Sequence, residues 1–128
     1  MNENARAWVA ALRSGKYKQG KRALHPTPDT YCCLGVACDL YQRAMGESWQ
    51  NDNSSILSFW GNAQVLPPRV RLWLGLTFPT STYLKEDGRT YESLANLNDR
   101  GVTFNEIADL IESEPEGLFL PVGKKRLE

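Results

Sequence analysis

The segment Tyr91 to Ser113, YESLANLNDRGVTFNEIADLIES, constrains the fold more than any other part of the chain, because two short amphipathic periods meet in it across a four-residue turn. Tyr91, Leu94, Ala95 and Leu97 recur at helical spacing behind Thr90, which is placed to cap them. Phe104, Ile107, Ala108, Leu110 and Ile111 do the same behind Thr103 and Glu106, a T-x-x-E capping box in which each side chain satisfies a free amide at the helix start. Asn98, Asp99 and Gly101 are turn formers, so the segment predicts a helical hairpin whose apolar faces must be covered by the rest of the chain.

The remaining elements supply that cover. Asn4 is placed to cap a helix from Ala5 to Ser14 that docks through Trp8, with Gly15 as its stop. Lys16 to Leu24 has no helical period, and Gln19-Gly20 divides it into KYK and KRAL, which predicts a small hairpin. His25 to Asp29, HPTPD, reads as a loop. A core helix is expected from Cys32 to Met45, on the stripe of Cys33, Val36, Ala37, Leu40 and Ala44, with Gly46 after it. Pro67-Pro68 opens a short helix that turns Val70, Trp73 and Leu74 inward and stops at Gly75. Two polar connections are expected, near 47–64 and 77–89; Ile56, Leu57, Phe59 and Trp60 anchor the first, and Asp87-Gly88 makes a turn in the second. The stretch GLFLPV either pairs as an edge strand or frays with the tail 119–128. The expected architecture is mainly α (α+β): a compact single domain, 1–128, of about five short helices with a small β-hairpin or edge strand, a size that buries one core without disulfides or metal.

Lysine plus arginine and aspartate plus glutamate each total 15, so no global field draws this chain to nucleic acid or to a membrane. The charge is uneven, however. Arg6, Arg13, Lys16, Lys18, Lys21 and Arg22 face only Glu3 in the first 25 residues, whereas Glu106, Asp109, Glu112, Glu114 and Glu116 crowd the other end. Cys32, Cys33 and Cys38 are an odd, adjacent set that suits a reducing compartment. With no signal-like or membrane-length apolar run, the expected location is the cytoplasm.

Four chemistries can be tested on these residues. A calcium loop centred on Gly101 would place Arg100 at its fifth position and Ile107 where a bidentate glutamate belongs, which argues against the ion. A DNA-reading helix would present Asn105, Glu106, Asp109 and Glu112 to phosphates, and no basic helix follows it, so nucleic acid stays a lesser alternative through this hairpin or the basic N-terminal region. Cys32 and Cys33 begin a helix, a position that lowers a thiol pKa, and YCCLGVACDLYQRAMG resembles the nucleophile helix of a family of bacterial cell-wall cysteine peptidases. That family has its histidine well downstream, whereas His25, the sole histidine here, lies upstream; a cysteine hydrolase is thus a further alternative, and the leading expectation names no catalytic residue. His25 with the three cysteines lacks a C-x-x-C spacing, so no metal or cofactor is expected. The strongest ligand signal is Arg13 to Arg22. Lys16, Lys18, Lys21 and Arg22 offer charge to a phosphate, and Tyr17 offers a stacking face for a base.

In the order WVAALRSGKYKQGK, YCCLGVACDL, LPPRVRLWLGL and LANLNDRGVTFNEIADLIE, the chain resembles a group of small accessory proteins of tailed bacteriophages and prophages. The resemblance implies expression in the cytoplasm of a bacterial host. It also implies an anti-defence or other host-interaction role: a non-enzymatic binding protein that sequesters or blocks a host protein or an anionic nucleotide ligand, with self-association left open.

Overall fold

The computed structural model describes residues 1–51, 57–58 and 64–121. Its centre is α2 (Cys33–Met45), whose first seven residues are all buried. Such a helix, apolar nearly all round, can only be an interior element. Cys32 caps it, its sulfur accepting from the Gly35 amide at 3.4 Å, and Gly46 ends it in the left-handed conformation at φ 71°. Around it pack α1 (Glu3–Arg13), α3 (Pro68–Leu74), α4 (Leu94–Asp99) and α5 (Phe104–Glu112), with α1 and α5 forming the largest helix–helix interface. Trp8, Leu12, Leu34, Val36, Leu74, Leu94, Ile107 and Ile111 make the shared core. The class is mainly α within α+β, as expected, with five helices among the described residues.

The short strands sit at the periphery of this bundle in three pairings: β1 (Lys18–Gln19) with β2 (Thr30–Tyr31), β3 (Gln50–Asn51) with β4 (Leu57–Ser58), and β5 (Thr82–Leu84) with β6 (Tyr91–Ser93). The first corrects the expected KYK/KRAL hairpin. Lys18 and Gln19 pair in parallel with Thr30 and Tyr31, because the HPTPD loop folds back over Gly20 and returns the chain in the same direction. The last corrects both the 77–89 loop and the start of the fourth helix. Asp87 accepts from the Arg89 and Thr90 amides and the Thr90 hydroxyl, which closes a hairpin and spends Thr90 in the turn. Ser93 caps α4 instead, and Tyr91, expected to be buried, lies 64% exposed on β6.

Two further differences are local. The cap of α1 is Asn2, which accepts from the Ala5 amide at 2.8 Å, while Asn4 reaches across to donate to the Trp73 carbonyl. The 118–120 stretch pairs rather than frays. Leu118 accepts from the Thr77 amide and Leu120 donates to the Gly75 carbonyl, with Leu118 fully buried. The capping box of Thr103 and Glu106 forms as read. The anchors Ile56, Phe59 and Trp60 and the basic tail Lys124, Lys125 and Arg126 lie outside the described residues.

Candidate functional site

Where α1 ends, Gly15 turns the chain at φ 76° and delivers Lys16 and Tyr17 to the flank of α2. A cleft of about 500 Å³ opens there, lined by Ala10, Ala11 and Ser14 of α1, by Lys16 and Tyr17, by Tyr31 of β2, and by Leu40 and Arg43 of α2. It therefore combines two cations, two phenol rings and an apolar floor. The rings of Tyr17 and Tyr31 meet edge to face at 5.0 Å, so each fixes the other's plane.

Behind these walls stands a small aromatic and polar cluster. His25, only 3% exposed, stacks on Tyr31 at 4.0 Å and meets the edge of Trp49 at 4.7 Å. Its Nδ1 lies 2.7 Å from the Thr30 carbonyl, and since a carbonyl only accepts, that nitrogen carries the proton. Asp39, 6% exposed, accepts from Tyr17 Oη at 2.6 Å, Arg43 Nε at 2.8 Å and Trp49 Nε1 at 3.2 Å. One buried carboxylate thus holds the ring of Tyr17 and the guanidinium of Arg43 in place, while the rest of the Arg43 side chain stays 73% exposed.

Burial alone would raise the Asp39 pKa, but the hydrogen bonds from Tyr17, Arg43 and Trp49 outweigh it and hold the carboxyl below its ordinary value. The unfolded chain then takes up that proton at higher pH than the native one. The carboxylate's stabilisation is present at neutral pH and is lost as pH falls below about 4. Thermal unfolding from about pH 6 to about pH 3 should therefore cost the native protein more than an Asp39→Asn variant, and parallel curves would refute that coupling. Burial first, and then the bond to Asp39, pushes the Tyr17 phenol upward, so it stays protonated as the donor.

The structure divides the five residues read from the sequence as ligand contacts. Lys16 and Tyr17 line the cleft. Lys18 points outward from β1, Lys21 lies against Gly101, and the Arg22 amide donates to Asp99, which places the last two at the α4–α5 turn. Arg43, Tyr31 and Asp39 were not read as site residues. A carboxylate set in an otherwise apolar helix, with arginine four positions on, was the available signal. Part of the charge asymmetry of the ends is internal: Arg13 pairs with Asp109 and Glu112, and the N-terminal amine with Glu114.

The thiols do not take the arrangement a cysteine hydrolase needs. All three are buried; burial pushes Cys32 up to about 11 and Cys33 and Cys38 well above the ordinary value. The helix start does not expose a thiolate here, because the Cys32 sulfur turns in to cap Gly35. Among the described residues no three His, Cys, Asp or Glu side chains are grouped to hold a metal ion. A larger concavity of about 820 Å³ beside the β5–β6 turn is lined by Glu86, Asp87 and Glu116 against Lys85, a poor lining for an anion.

Fold and cleft together define a small helical α+β domain with a cationic, tyrosine-walled surface site. The chain belongs to the family described as Domain of unknown function (DUF8296), which matches residues 1–115. No curated protein and no solved structure matches it. No helix among the described residues is long and apolar enough to cross a membrane.

Proposed function

We propose that this protein is a non-enzymatic, phage-derived binding protein that sequesters an anionic, nucleotide-type ligand in the cytoplasm of a bacterial host. The observation that supports this reading is the juxtaposition of Lys16 and Arg43 with the rings of Tyr17 and Tyr31 around a cleft of about 500 Å³. Cations hold phosphate, and tyrosine offers a π-face that any base can meet. The lining holds no histidine, cysteine or carboxylate, and the Asp39 carboxylate behind it is already engaged by three donors, which favours capture over turnover. Nucleic acid is the weaker reading, because Asp109 and Glu112 of the α4–α5 hairpin are tied to Arg13, and Lys18, Lys21 and Arg22 do not share one groove with Lys16.

Calorimetry against cyclic and linear nucleotides tests the proposal. At least one should bind, and Lys16→Ala or Arg43→Ala should weaken it about tenfold, the scale of one partly exposed charge-assisted phosphate contact. Lys18→Ala and Lys21→Ala, which lie outside the cleft, should leave the affinity unchanged. Silence across the whole panel at millimolar ligand would end the ligand reading, and a salt-sensitive mobility shift with DNA or RNA would favour the alternative.

A further inference from the structure

We infer that the cleft selects a phosphate carrying a single negative charge, a phosphodiester in preference to a terminal phosphate monoester, because Asp39 offsets one of the two cations that line it. The inference rests on the binding role proposed above and names the ligand class of the same site. Lys16 and Arg43 are the cations of the lining. The Asp39 carboxylate is bonded directly to Arg43 Nε, so the pair is neutral as a unit and Lys16 supplies the net charge. His25 is spent on Thr30 and on the ring of Tyr31, and Arg13, on the far side of Tyr17, is spent on Asp109 and Glu112. A diester's one charge therefore neutralises the cleft. The second charge of a monoester meets no further cation of the lining and faces the Asp39 carboxylate behind the wall, a like-charge juxtaposition that disfavours it.

A matched ligand pair isolates this effect: a nucleoside 5′-monophosphate and its methyl ester differ by one methyl group and, near pH 7.5, by close to one charge, since the second phosphate pKa is about 6. Calorimetry with the intact protein should find the methyl ester about tenfold tighter. Asp39→Asn should bring the two esters within about threefold of each other by freeing the Arg43 charge. Ala10→Lys should do the same by adding a cation from the exposed rim of α1, where lysine is a good helix former and the Asp39 hydrogen bonds are untouched. That second variant carries the test if Asp39→Asn fails to fold. A monoester that binds the native protein as tightly as its methyl ester, or an ester ratio that Ala10→Lys leaves unmoved, overturns the inference while the binding role stands. No heat with either ester, together with silence across the nucleotide panel, overturns both; no heat with the esters alone overturns the inference.

Discussion

Gly35→Ala should destabilise the protein by about 3 to 5 kcal/mol, toward the upper end of single-substitution effects, and so remove much of the 5–15 kcal/mol typical of a domain. Alanine is ordinarily the better helix former by about 1 kcal/mol, so propensity alone predicts a gain. The tertiary structure reverses the sign. A β-carbon at Gly35 would stand 1.7 Å from the Leu24 carbonyl oxygen and 2.6 Å from its carbon, far inside contact distance and against backbone rather than a side chain that can swing away. That same oxygen accepts from the Cys32 amide at 3.1 Å, so moving the strand of chain aside also breaks the bond that seats the start of α2. His25 and the ring stack behind the cleft follow Leu24 directly, which couples the substitution to the site. Denaturant unfolding should show the midpoint shift, and an alanine variant as stable as the native protein would mean that the chain does not cross α2 here.

Asn98→Leu should cost a similar amount, about 3 to 5 kcal/mol, although leucine has the same number of side-chain heavy atoms with the same branching. Asn98 is fully buried in α4, and its amide makes three hydrogen bonds to two other parts of the fold. Oδ1 accepts from the Cys33 amide at the first turn of α2 and from Gln19 Nε2; Nδ2 donates to the Gly20 carbonyl at 2.7 Å. Gln19 in turn bonds the Val102 carbonyl and the Phe104 amide, which joins the α4–α5 hairpin to β1. Leucine would leave several buried groups unpaired at once, and each costs about 1–3 kcal/mol. Asn98→Asp keeps the acceptor but at neutral pH sets a buried carboxylate against the Gly20 carbonyl, so in thermal melting its deficit against the native protein should shrink as pH falls toward about 4 and the carboxyl gains a proton to donate there. If aspartate stayed as damaging as leucine at low pH, the acceptor side of this network would carry no weight.

These two residues show why one part of the fold was legible and another was not. The hairpin of α4 and α5 was readable because helical periods and caps are local. Leu94, Leu97, Ile107 and Ile111 repeat within one helix each, and Thr103 meets Glu106 three residues on. The same locality explains the stops at Gly15, Gly46 and Gly75. Asn98 was read as a turn former, which its sequence context permits, yet its amide acts on residues 65 and 78 positions away. Strands of two or three residues are too short to establish an alternating pattern, so the parallel pairing of Lys18–Gln19 with Thr30–Tyr31, and the loss of Tyr91 to a strand, had no periodic signature.

The site divides in the same way. A basic N-terminal stretch with an interleaved tyrosine is a property of the sequence, and it led to Lys16 and Tyr17. Charge read along a chain cannot say which side of a strand a cation leaves from or what it meets, so Lys18, Lys21 and Arg22 were grouped with them and the fold separates them. By itself the sequence determined the existence of the helices, the capping box of α5 and the presence of a basic region, because those depend on neighbours a few residues apart. Only the tertiary structure decided that Arg43 and Tyr31 complete the cleft, that Asp39 holds Tyr17, and that Arg13 is spent on α5, because these depend on side chains distant in the chain, Tyr17 and Asp39 by 22 positions, brought together by burial of a common core.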